Sequence, residues 1–273
     1  MPRLGSSPFA FPDFKGATRR LILINLAAYF ILLLAGLLSS SAGRIAGSLT
    51  FDPFSFMHGA LWQPLTYSFI HVGILGTLFE LLSLWFIAGF LEGFHDANWV
   101  MSLYAVSVLG TAAAALALYA VSNTLAPSLL VNAFPLYGCF GGIFGLLAAI
   151  GILYGDTQFM MFPLPIGIKA RYLVVIYVLV AVAMLFGQER MYAFAQLGGA
   201  LAGVGFARLA PRRGVNFMLS EGWYGLRNRY YRWKRRRAAR KFEVYMRSQG
   251  KTIKFDGQGR QIDDDSNDKK RWN

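Results

Sequence analysis

The sequence predicts an all-α membrane protein, a six-helix transmembrane bundle with both termini cytoplasmic. Three observations predict it. The chain has 273 residues, of which 55% are hydrophobic and 15% charged, whereas a soluble domain carries roughly 25% charged residues. No Lys, Arg, Asp or Glu occurs between Ala97 and Gly155. Finally, the net charge of +13 sits almost wholly at one end: from Arg208 onward there are 19 basic and 7 acidic residues. This is a hydrophobic body with a basic tail, and a soluble enzyme with a basic surface is excluded.

A helix needs about 20 apolar residues to cross a bilayer. The first such run covers 21–38, with Asn25 as its one strongly polar residue. It exceeds the roughly 7–15-residue core of a cleaved signal and reads as a retained helix. The others cover about 72–91, 99–121, 136–154, 172–187 and 191–209. Basic residues set the orientation. Arg3, Lys15, Arg19 and Arg20 precede the first run, Lys169 and Arg171 separate the fourth from the fifth, and the tail follows the sixth. The opposite loops hold only Arg44 and Arg190. The division is then a cytoplasmic segment over 1–17, a membrane domain over 18–210 and a basic tail over 211–273.

The stretch 39–70 is too long for a simple connection. Phe51, Phe54, Phe56, Met57, Leu61 and Trp62 fit a segment lying at headgroup level, where Trp and other aromatics settle; a loop folded on itself is the alternative. In the tail, Trp223, Leu226, Tyr230 and Trp233 recur at helical spacing, and Phe242, Tyr245 and Met246 continue after the arginine-rich run Arg232–Arg240. Aromatics on one face with arginines around them suit a helix on anionic lipid headgroups; nucleic acid is not the expected partner. Gly250 should end that helix, 251–262 reads as a hairpin, and 263–273 as a disordered end.

Chemistry-bearing residues are few. One cysteine, Cys139, excludes an intrachain disulfide. His58, His71 and His95 lie far apart with no metal-ligand spacing, and no phosphate-binding loop is present. No cofactor or metal is expected. Gly141 and Gly145 in the fourth run, and Gly199 and Gly203 in the sixth, form two G-x-x-x-G steps. Such steps let helix backbones approach closely, so these two helices should touch.

Four motifs in order resemble the rhomboid family of intramembrane serine proteases, and their form suggests a bacterial inner membrane. They are Trp62 to His71; Gly89 with Glu92; Gly138-Cys139-Phe140-Gly141-Gly142-Ile143-Phe144-Gly145-Leu146; and Ala195-Gln196-Leu197-Gly198-Gly199-Ala200-Leu201-Ala202-Gly203. The resemblance implies a Ser nucleophile, a His base and a pair of polar groups stabilising the oxyanion. At those positions this chain holds Phe140, Gln196, Gly76 and Glu80. A phenyl ring cannot attack and an amide cannot take a proton near neutral pH. The resemblance therefore implies a pseudoprotease that binds transmembrane segments of client proteins without cleaving them, with lateral access between the second and fifth helices.

Two alternatives remain at this point: an endopeptidase with Cys139 as nucleophile, and a structural membrane scaffold. Phe140 reads as a plug and His71 as a structural residue. Glu80 is an intramembrane carboxyl, functional by default. It either lines a polar cavity or is protonated and hydrogen-bonded to Gln196 or a backbone carbonyl. Client-binding or cavity candidates are thus Glu80, Gln196, Cys139, Phe140 and His71.

Overall fold

The computed structural model describes residues 12–39, 41–124, 135–161, 166–187, 189–209, 215–250, 254–255 and 261–262. It contains α1 (Gly16–Leu38), α2 (Ala42–Leu49), α3 (Pro53–Met57), α4 (Gln63–Thr66), α5 (Ile74–Glu92), α6 (Ala97–Thr124), α7 (Phe140–Leu153), α8 (Ala170–Met184), α9 (Arg190–Leu209) and α10 (Val215–Ser248). Two short antiparallel pairs accompany them: β1 (Gln158–Met161) with β2 (Ile166–Lys169), and β3 (Lys254–Phe255) with β4 (Gln261–Ile262). The chain divides into two compact units, the first ending at Val215. The protein is thus an all-α membrane protein, with α1, α5, α6, α7, α8 and α9 on the six apolar runs. Among the described residues α1, α5 and α6 are long and apolar enough to cross a membrane, and α7 and α8 are shorter apolar helices.

The centre of the first unit is a triangle of α6, α7 and α9, with α1 paired to α5 on one flank and α8 packed on α7 and α9. Small residues make the triangle possible. A Cβ at Gly203 would lie 2.5 Å from the Gly145 carbonyl oxygen, and one at Gly199 2.7 Å from that of Gly141. Gly198 meets α6 the same way, 3.1 Å from the Gly110 carbonyl. Lipid supplies no hydrophobic drive between helices, so this close packing is what holds them. Among the described residues the contact of α9 with α6 is the most extensive, and only its partner α7 was legible as a glycine pattern.

Helix α1 begins without a cap of its own, since Lys15 offers no side-chain acceptor. Glu92, at the end of α5, supplies the acceptor instead. Its carboxylate receives Ala17 N–H at 2.7 Å, Thr18 N–H at 3.1 Å and the Thr18 hydroxyl at 2.7 Å. A helix N-terminus has unpaired N–H groups and a positive dipole end, so a carboxylate there is doubly favourable. Gly16 has φ +51° and sits where a Cβ would collide with Glu92. Gly89 likewise admits Pro12, whose carbonyl accepts from Trp85 Nε1 at 3.2 Å.

The stretch 39–70 does fold on itself. Asp52 caps α3 by accepting from Ser55 N–H (3.1 Å), Trp62 Nε1 donates to the Ser48 carbonyl (3.0 Å), and Thr66 Oγ1 to that of Leu49 (2.8 Å). It also presents Phe54, Met57, Leu61, Trp62 and Leu65 outward. Phe51 departs from that surface: it is buried, and its backbone bridges Leu136.

In the second unit α10 is one continuous 34-residue helix, longer than the aromatic spacing suggests. It ends just before Gly250, whose φ of +75° closes the last turn. Tyr230, Trp233, Phe242 and Tyr245 are exposed, and Arg237 lies 5.3 Å from the Trp233 ring centroid. The end of the chain, 263–273, lies outside the described residues.

Candidate functional site

The chemistry-bearing residues meet where α5, α7 and the turn before each come together. The 3₁₀ turn Tyr67–Phe69 precedes His71, and α5 brings Glu80 back towards it. Gly138 lets the chain enter α7 at this point. It has φ +85°, its N–H donates to the Ile70 carbonyl at 2.8 Å, and a Cβ there would lie 2.8 and 2.9 Å from the two Glu80 carboxylate oxygens. Only a residue without a side chain fits both the backbone and the carboxylate.

Glu80 is 7% exposed and Cys139 fully buried. Glu80 Oε2 accepts the Cys139 backbone N–H at 3.0 Å and faces its thiol at 3.5 Å. His71 Nδ1 lies 3.0 Å from the same oxygen. That is ion-pair distance, yet the ring is out of line for a hydrogen bond and Nδ1 has no hydrogen-bonding partner. On the far side of the ring, His71 Nε2 is 2.8 Å from Asn25 Oδ1, and Asn25 Nδ2 donates to the Leu21 carbonyl at 2.7 Å. The result is a chain Leu21–Asn25–His71–Glu80–Cys139 across α1, α5 and α7.

Glu80 bonds neither to Gln196 nor to a backbone carbonyl, the partners expected from the sequence; it accepts from a backbone N–H and faces an imidazole. His71, read from the sequence as a structural residue, stands between Asn25 and Glu80. The remaining candidates stand apart from this chain. Gln196 is buried on α9. Phe140 is half-buried and packs against two core clusters, one of them holding Phe144, Ala148, Ala181 and Ala200. Gly76, one turn before Glu80 on α5, has open space where its Cβ would stand.

The sequence reading missed Asn25 and the cluster itself. A polar amide alone in an apolar span was the available signal for Asn25, since such groups bond to neighbouring helices. The cluster had no linear signal: His71, Glu80 and Cys139 come together only through the fold, with all three donor atoms within 4.8 Å of one another. A second polar group, His95, pairs with Tyr154 at 3.0 Å and stacks on Trp99 at the α5–α6 turn.

A family model described as eukaryotic integral membrane protein (DUF1751) matches residues 22–209, from within α1 to the end of α9. The chain belongs to that family. No curated protein matches it. Membership in a eukaryotic family overturns both the rhomboid assignment and the bacterial inner membrane. The physical reason is plain in the motifs. What they share with rhomboids is glycine and aromatic packing frames, which any tight helix bundle requires, while the residues specific to proteolysis are absent. The protein is a multi-pass integral protein of a eukaryotic family, and its surroundings are the lipid bilayer.

Proposed function

We propose that this protein is not an enzyme and that it binds transmembrane segments of client proteins on the open face of α5. One observation carries the reading. Gly76 is an unfilled notch one helical turn from Glu80, on a surface where Ile74, Leu75, Leu78 and Phe79 are exposed. A small residue in an apolar membrane face permits close backbone approach by another helix. Gly76, with the exposed apolar side chains around it, supplies that approach. Lateral access between α5 and α8 suits such a client, since the exposed side of α8 is apolar as well, with Val175, Leu179 and Val180.

Phe140 and Gln196 cannot act as nucleophile and base. Cys139 has no exposed surface from which its sulfur could reach a substrate. The exposed aromatics and arginines of α10 support contact with anionic headgroups.

Photocrosslinking in native membranes tests the client reading. A photoreactive residue at Phe79 should capture client transmembrane helices well above one at Leu34, an exposed position on α1. Equal capture from both positions would overturn the proposal.

A further inference from the structure

The histidine, carboxylate and thiol that meet inside the bundle pose an electrostatic problem. Asn25 Nδ2 donates to the Leu21 carbonyl, so its Oδ1 is the atom facing His71. An amide oxygen only accepts, so His71 Nε2 carries a proton and donates. In a neutral imidazole, Nδ1 is then a bare lone pair, 3.0 Å from a carboxylate oxygen. Two acceptors would face each other at full burial, with no donor aligned between them. A proton or a metal ion between them removes the conflict, and the Cys139 thiol 3.5 Å from the same oxygen adds a third metal ligand.

We infer that His71, Glu80 and Cys139 form a structural site for a divalent transition-metal ion of the zinc class. The donor set fits: imidazole nitrogen, carboxylate oxygen and thiolate sulfur are zinc ligands, with bonds of about 2.0–2.3 Å. Donors on a tetrahedron of that size stand roughly 3.3–3.6 Å apart. Glu80 Oε2 is already 3.0 Å from Nδ1 and 3.5 Å from Cys139 Sγ, and all three residues offer a donor within 4.8 Å of the others. Each residue offers one donor, and water would take the fourth position of the tetrahedron. The charges also balance. A thiolate and a carboxylate neutralise the divalent ion, leaving no net charge in a low-dielectric bundle. The Cys139 thiol proton leaves to water on binding.

The surrounding residues suit that role. Metal-bound histidines donate their other ring nitrogen to an oxygen that fixes the ring, and Asn25 Oδ1 provides one. Gly138 leaves room for the carboxylate that any Cβ would fill. The site ties α1, through Asn25, to α5 and to the start of α7. It is independent of client binding at Gly76.

The full-length protein, purified in detergent, stripped with chelator and then given Zn²⁺ or Co²⁺, tests this directly. One zinc per chain should survive gel filtration, measured by mass spectrometry of the metal. The Co²⁺ form should show the intense visible bands of a tetrahedral ion and a sulfur-to-cobalt charge-transfer band. Because Cys139 is the single cysteine, that band reports on this site in the wild-type chain, without a variant that has to fold. Cys139→Ser should abolish it, and Asn25→Ala should weaken metal binding by about 10–100-fold. Wild-type protein that retains no zinc and gives no charge-transfer band would overturn the inference, leaving a simple His71–Glu80 ion pair. Zinc held equally by Cys139→Ser would overturn it too, by placing the metal elsewhere.

Discussion

Helix α5 carries two carboxylates, Glu80 and Glu92, and they do different work. Glu92 receives three aligned donors from the first turn of α1, two of them backbone N–H groups. Its role is complete: it finishes a helix that has no cap of its own. Glu80 has one aligned backbone donor, a thiol at 3.5 Å and an imidazole out of line. A carboxylate fully supplied with N–H donors is architecture. One that is buried, partly supplied and set beside a histidine and a cysteine has coordination left over, and that is where chemistry or binding belongs.

Removing Glu80 altogether should produce the largest effect. Glu80→Ala leaves His71 and the Cys139 N–H without their partner, and breaking a buried pair in this way destabilises by about 3–5 kcal/mol. Denaturation in mixed micelles measures it. Glu80→Gln, which keeps an acceptor for the Cys139 N–H, should lose less; equal losses would make Glu80 as purely architectural as Glu92.

Packing comes next. Gly203→Ala drives a Cβ against the Gly145 backbone and should destabilise by about 1–3 kcal/mol. Gly205, two residues on, has nothing within 4 Å of its Cβ position. Gly205→Ala should instead raise stability by about 0.5–1 kcal/mol through helix propensity. Loss at both positions would mean that glycine content, rather than facing, governs α9.

Glu92→Ala removes the borrowed cap and should cost about 0.5–2 kcal/mol, with α1 amide exchange rising first in its initial turn. Were metal binding to fall as well, the separation of the two carboxylates would fail. The smallest effect is expected on α10. In nanodiscs with anionic lipid, a spin label near Tyr230 should report an immersed helix, and Arg236→Ala should lower the immersed population about fivefold, the equivalent of about 1 kcal/mol per basic residue. No difference between anionic and zwitterionic discs would remove the lipid role of the tail.

The bundle was legible from the sequence because lipid imposes strong rules. Long apolar runs, charge-free over Ala97 to Gly155, leave few options but helices. The facing of α7 and α9 was legible too, since Gly141, Gly145, Gly199 and Gly203 repeat at one-turn spacing. The hairpin of β1 and β2 was not, because its four-residue strands sit in a connection where composition carries no period. The polar cluster was legible only in part. Glu80 stands out in an apolar helix, but its partners come from three separate stretches, and one of them, His71, is positioned by a turn whose glycine lies 67 residues further on, at Gly138. The rhomboid frames misled for a related reason: packing glycines record how closely helices approach, and that says little about descent or chemistry.

A protein with this buried cluster should bind client helices without cutting them. A model transmembrane protein reconstituted with the full-length chain in liposomes, followed over hours by mass spectrometry of intact chains, tests this most directly. The model protein should stay at full length with wild-type chain, with Cys139→Ser and without any added chain alike. Time-dependent fragments that appear with the wild-type chain and vanish with Cys139→Ser would contradict it.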